Sequence, residues 1–266
     1  MKIIVCVKQV PDTLGDVAIN PDGTLNRASM KAITNPDDLY AVEKALQLKD
    51  RHHCQVTILS MGPPSAEAML RELLAMGCDE AVLISGREFG GSDTLGTSQI
   101  LAAGISTYGL EKDTIILCGR QAIDGDTAQV GPQVAERLSI PQLTCVTSLQ
   151  LEGEQLICTQ KTDLGVVKAA VQLPCLLTVV QNPDIPRYMN AWDIMRAFQK
   201  PLQVYDYSTL KDHPLLRQDC IGLRSASTTI YKSFALRPKE KRLEILSGDR
   251  AGCQAWIRRM KEQQKG

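Results

Sequence analysis

The sequence predicts an α/β fold: a Rossmann-like, three-layer α/β/α domain with a mainly parallel sheet, an antiparallel extension and a C-terminal arm. Three observations predict it. Over the first 140 residues, short β-branched apolar runs alternate with helix-period segments. From Pro141 to Val180 the period changes to alternation, and after Pro201 the chain turns polar and irregular. The expected division is therefore 1–200 for the α/β domain and 201–266 for the arm.

Strands are expected at 2–7, 54–60, 80–85 and 113–118. Between the first two, Asn20-Pro21-Asp22-Gly23 is a turn signal inside Val17 to Arg27, which predicts a small hairpin. The first helix starts near Asn35-Pro36, with proline in its first turn, and runs to Asp50. Ser65 to Met76, ended by Gly77, reads as the second helix and Thr94 to Tyr108 as the third. Pro132 fits only the first turn of the fourth, which sets its cap between Gln129 and Gly131. About ten residues of loop remain after Gly119, at the carboxyl end of a strand, where open α/β sheets place ligands. Glu152-Gly153-Glu154 is a turn between antiparallel strands. Leu176 to Val180 reads as a buried strand, and Ala251 to Glu262 as a basic helix.

Composition excludes several classes. Hydrophobic residues at 44% and charged residues at 23% are those of a globular protein. No run reaches the roughly 18 apolar residues of a spanning helix, so no membrane insertion is expected. Nine scattered cysteines without a C-x-x-C pair argue against zinc and iron–sulfur frameworks. Their odd number, with no secretory leader, fits reduced thiols in a cytoplasmic protein. Zero net charge argues against nucleic acid, although Arg237 to Gly266 holds nine Lys/Arg against four Asp/Glu. His52, His53 and His213 lie in no catalytic or metal-ligand pattern. No catalytic residue and no metal ligand is expected.

Three strand ends carry loops suited to a nucleotide. They are Val7-Lys8-Gln9-Val10-Pro11-Asp12-Thr13, Phe89-Gly90-Gly91-Ser92-Asp93-Thr94 and Gly119 to Gln129. Gly90-Gly91 permits close backbone approach, and Ser92, Asp93 or Thr94 can cap the third helix; plain capping also explains that segment. Neither G-x-G-x-x-G nor a P-loop is present, so any nucleotide is held another way. Asp124 and Asp126 are spaced to bind ribose hydroxyls or cap backbone amides rather than to act as an acid/base pair.

With Val5-Cys6-Val7-Lys8-Gln9-Val10-Pro11-Asp12-Thr13, Asn35-Pro36, Met61-Gly62-Pro63, Ala75-Met76-Gly77-Cys78-Asp79-Glu80, Cys118 to Gln129 and Leu173-Pro174-Cys175, the chain to about residue 200 resembles the β subunit of electron-transfer flavoprotein. Pro11-Asp12-Thr13, Phe89 to Thr94 and Gly125-Asp126-Thr127 are similar to the NAD-linked, electron-bifurcating branch. That resemblance implies a heterodimer with an α subunit, touched by the 201–266 arm. It also implies a flavin-dependent dehydrogenase of acyl-CoA or lactate type as partner, and ferredoxin as a further one. FAD and NAD(H) are the implied cofactors, with structural AMP as the alternative of the conventional branch. For FAD the resemblance implies Val7, Lys8, Gln9, Asn35, Gly62, Asp124, Gly125, Asp126, Thr127 and Gln129. For NAD(H) it implies Pro11, Asp12, Thr13, Phe89, Gly90, Gly91, Ser92, Asp93 and Thr94. It places dehydrogenase docking on Tyr188, Met189, Trp192 and Met195; the spacing of Trp192 and Met195 equally suits a buried helical face.

Overall fold

Apolar runs that alternate with helices become the centre of the sheet. The computed structural model describes residues 1–12, 31–228 and 245–263. β1 (Lys2–Cys6) leads into a short antiparallel pair, β2 (Gln9–Pro11) with β3 (Ala32–Thr34). Next come α1 (Pro36–His52), β4 (Gln55–Met61), α2 (Glu67–Met76), β5 (Glu80–Ile84), α3 (Thr94–Tyr108), β6 (Thr114–Gly119) and α4 (Val130–Leu138). β7 (Gln142–Glu152), β8 (Gln155–Thr162) and β9 (Gly165–Gln172) form a meander. The chain continues through β10 (Cys175–Val179), α5 (Ala191–Ala197), β11 (Leu202–Tyr205), the one-turn α6 (Tyr207–Leu210) and α7 (Arg250–Gln263). The expected Val17–Arg27 hairpin and Thr13 lie outside the described residues.

Among the described residues nine strands make one sheet in the order β11-β5-β4-β1-β6-β10-β7-β8-β9. Helices cover both faces. On one side Val42, Leu46, Leu70 and Leu74 of α1 and α2 pack on Ile3, Val5 and Ile58. On the other, Ile100 and Ile105 of α3 and Val134 of α4 pack on Ile4, Leu59 and Ile116. Burial on both faces is what the unbroken apolar runs of β1, β6 and β10 require.

Two expectations change. The antiparallel character from Pro141 to Val180 holds for β7, β8 and β9, but β10 pairs parallel with both β6 and β7. Its five residues are all buried, the pattern of a central parallel strand rather than of a meander. The polar segment after Pro201 also begins inside the sheet. Leu202–Tyr205 pair parallel with Ala81–Ile84 and form the edge, where alternate residues can face water.

Candidate nucleotide site

The carboxyl ends of β1 and β6 are neighbours, and the first turn of α1 fills the space above them. Asn35, fully buried, accepts from the Ile123 N–H at 3.1 Å and donates to the Gln121 carbonyl at 2.9 Å. Lys8 reaches across from β1, its ammonium 2.8 Å from the Asp124 carboxylate. Gly119 is required, because a side chain there would run into Asp37 and Asp38. Beyond it, Gly125 and Asp126 turn the chain back with N–H bonds to the Ala122 carbonyl. Asp126 and Ala128 are held at φ 50° and 53°, a left-handed geometry that non-glycine residues adopt at a cost. The tip, Gly125 to Gln129, is exposed.

Of the FAD set, then, Lys8, Asn35, Asp124, Gly125, Asp126, Thr127 and Gln129 come together around one loop. Val7 is committed to the fold, with its N–H on Leu59, and Gly62 likewise donates to the Ile84 carbonyl. Gln9 pairs with Thr34 in the β2–β3 ladder.

The starts of α3 and α4 differ in a way that decides which can accept an anion. Asp93 caps α3, one oxygen 3.0 Å from the Gly96 N–H, while its other oxygen takes the Ser227 N–H at 2.8 Å. Although burial opposes it, these backbone donors hold the Asp93 carboxyl below its ordinary range. Among the described residues no side chain caps α4, and Gln129 instead accepts from the Thr94 hydroxyl at 3.0 Å. Open N–H groups at the start of a nine-residue helix are a donor set for a phosphate.

The loop expected to meet NAD(H) is partly closed by its own chain. Residues 217–228 run across it as a strap. Gly222 donates to the Ser92 hydroxyl at 2.7 Å, Leu223 to the Gly90 carbonyl at 3.1 Å and Arg217 to the buried Gln99 side chain at 2.9 Å. Gly91 sits at φ 79°, and a Cβ there would lie 2.8 Å from that of Leu223. Its glycine therefore serves a contact within the chain. Phe89 is a core residue, 2% exposed and edge-on to Tyr207. Ser92 and Asp93 spend their oxygens on the fold, Pro11 lies in β2 and Asp12 donates to Lys31. Gly90 and Gly91 are exposed, whereas Ser92, Asp93 and Thr94 are half-buried.

The docking segment is fastened to α1. Lys44 pairs with Asp184, and Arg187 bridges Glu43 and Asp50 at 3.0 and 2.8 Å. Asn190 then caps α5, which shows Trp192 and Met195 at 67% and 65% exposure. Their spacing thus reflects an outward face and not a buried one. Tyr188 is exposed as well, whereas Met189 packs on the core.

Two features escaped the sequence reading. Asp38 is buried and joins β1 to β6; Asp37-Asp38 behind Asn35-Pro36 was its only sequence signal. The strap had none beyond Gly222, since its meaning depends on a contact 130 residues away. Among the described residues no group of three His, Cys, Asp or Glu is placed to hold a metal, and no helix is long and apolar enough to cross a membrane.

Comparison with known proteins agrees with this architecture. The family model described as electron transfer flavoprotein domain matches residues 22–210. The chain is 56% identical to the acryloyl-CoA reductase electron transfer subunit gamma of Anaerotignum propionicum, covering 92% of each. It is 45% identical to the caffeyl-CoA reductase-Etf complex subunit CarD of Acetobacterium woodii, covering 88% of each. With the electron transfer flavoprotein subunit beta of Clostridium acetobutylicum it shares 46% identity over 88% of this chain and 87% of that one. A loop-bearing parallel sheet with an open helix start, in a sequence this close to such subunits, belongs to the electron transfer flavoprotein family, as a subunit of the β type.

Proposed function

We propose that this subunit holds FAD between the β1 and β6 loops, binds NAD(H) beside it, and serves electron bifurcation or confurcation between NAD, ferredoxin and a flavin-dependent dehydrogenase of acyl-CoA or lactate type. It does so as a heterodimer with an α subunit, in the cytoplasm. The observation that carries the reading is the uncapped start of α4 behind an exposed, Gly-bearing loop fixed by buried Asn35. The names of two relatives, subunits of acryloyl-CoA and caffeyl-CoA reductase systems, support the dehydrogenase class.

The residues present fit the cofactor. The α4 N–H groups supply donors for its pyrophosphate, and Asp124 and Asp126 supply acceptors for ribose hydroxyls. Lys8, half-exposed and paired to Asp124, places positive charge beside the same loop. NAD(H) would meet the backbone edge of Gly90-Gly91, since the side chains of Ser92 and Asp93 serve the strap and the helix cap. Bound flavin supplies hydride acceptance and one-electron transfer; the chain supplies orientation and a fixed electrostatic setting. No general base is needed from the protein.

Gly125→Val tests the loop assignment. Nothing lies within 4 Å of where its Cβ would go, so the substitution spares the fold. The α subunit of this reading carries one FAD of its own, so the variant purified with it should lose the second FAD while the subunits stay associated. Retention of that FAD rejects the loop assignment, and a wild-type complex carrying one FAD with one AMP rejects the second flavin.

A further inference from the structure

The first turn of α1 holds a carboxylate that the nucleotide reading leaves unused. Asp38 is 6% exposed and makes no ion pair among the described residues. Its oxygens accept from the N–H of Lys8 at 2.8 Å and the N–H of Gly119 at 2.9 Å. These are the carboxyl ends of adjacent strands, paired in register from Lys2↔Thr114 to Cys6↔Cys118. Three residues earlier, at the cap of the same helix, Asn35 binds Gln121 and Ile123 of the β6 loop, and its own N–H goes to the Lys8 carbonyl. The side chains of this buried pair thus bind main chain of both loops at the nucleotide site, and Asn35 also bears on the Asp38 carboxylate. A buried carboxylate is costly to the fold, and an apolar residue would cost less. An ionised carboxylate accepts at both of its oxygens, Oδ2 from Lys8 and Oδ1 from Gly119, whereas an amide or a protonated carboxyl presents hydrogen at one of the two.

We infer that Asp38 is a positioning residue, which when ionised holds the β1 and β6 loops at the spacing a nucleotide needs and when neutral releases one of them. The inference rests on the reading that these loops hold an adenine nucleotide. Burial pushes Asp38 up to about 7, against the pull of Lys8, Asn35 and Gly119. The groups that face it are few. Asp37, on the same turn, is raised by burial and faces Arg120 at 3.6 Å. Cys6 of β1 is pushed up to about 12 and Cys118 of β6 is raised too, so both thiols stay neutral. The Lys8 ammonium points away to Asp124, and Asp126 reaches the cluster through Asp37.

The test uses the heterodimer, stripped of nucleotide and titrated with FAD and separately with AMP. If the ionised form binds, affinity should be about tenfold tighter at about pH 8 than at about pH 6, following the ionised fraction of a group near 7. Asp37→Asn should keep that slope. Asp38→Asn should be flat and weak, with faster amide exchange at Lys8 and Gly119 before any ligand is added. Without ligand the sign reverses. A folded-state value above the unfolded one means that wild-type stability attributable to Asp38 falls as pH rises from about 4 to about 7, and Asp38→Asn removes that fall. A merely structural residue would not move affinity and stability in opposite directions with pH. Wild-type affinity in Asp38→Asn at both pH values overturns the proposal. Should that variant fail to assemble, a flat wild-type profile overturns it equally. Failure of the wild type to bind either nucleotide overturns the reading beneath it, and slow exchange at Lys8 and Gly119 would then mark Asp38 as a strut of the fold alone.

Discussion

Single residues at this site are fixed by the chain's own contacts. Gly91 shows it best. Its left-handed φ of 79° and the closeness of Leu223 mean that even a methyl group meets the strap. Gly91→Ala should therefore cost about 1–3 kcal/mol and speed amide exchange at Gly222 and Leu223. Thermal unfolding with exchange mass spectrometry checks this, and an unshifted midpoint would show that Leu223 yields freely. A raised KM for NADH in a Gly91 variant is then informative only if the strap is still seated. Gly125 differs, for its side is open and its substitution reports on a ligand directly. The sequence makes both glycines look like approach points for phosphate, and only the fold separates them.

At the scale of elements, α2 and α5 exchange caps. Arg71 donates to the carbonyls of Ala197 and Lys200 at 3.0 and 2.9 Å. Lys200 returns the arrangement with bonds of 2.8 and 2.7 Å to the carbonyls of Leu74, in the last turn of α2, and Cys78, just past its end. Cations at helix C-termini satisfy the carbonyls left over there and suit the dipole. Arg71→Leu removes both donors from the end of α5. It should cost about 1–3 kcal/mol and loosen α5, with faster exchange from Ala191 to Ala197 and unchanged flavin content. The helices and central strands were legible because their periods and caps are local: Pro36 opens α1, Gly77 ends α2 and Pro132 sits just inside α4. The place of β10 was not. Its apolar run announced a buried strand, but whether it pairs parallel depends on Ile115 and Leu143, residues far from it in sequence. The loops of the candidate site were found from Gly, Asp and Thr at strand ends, while Asp38 and the strap escaped because only tertiary contacts give them meaning.

For the whole molecule, the proposed nucleotide loops and the proposed docking helix occupy separate surfaces of one sheet. The loops sit at the carboxyl ends of the strands, and α5 stands on the α1–α2 layer with Tyr188, Trp192, Met195 and Phe198 exposed. Arg196 lies 5.5 Å from the centre of the Trp192 ring and stiffens its presentation. Exposed aromatic and methionine side chains beside arginine have the composition of an interface hot spot. Trp192→Ala should weaken dehydrogenase binding at least about tenfold, while NADH still reduces the flavin at the wild-type rate. Binding measured by interferometry and stopped-flow absorbance separate the two; an unfolded variant, or one that loses the α subunit, would assign Trp192 elsewhere. The position of β10 between β6 and β7 also has a consequence for a chain leaving the ribosome. Until Cys175 to Val179 have been made, the β7–β9 meander has no strand through which to join the parallel sheet. The three-stranded meander waits as a detached flap, and a five-residue segment made just after it stitches it to the parallel strands.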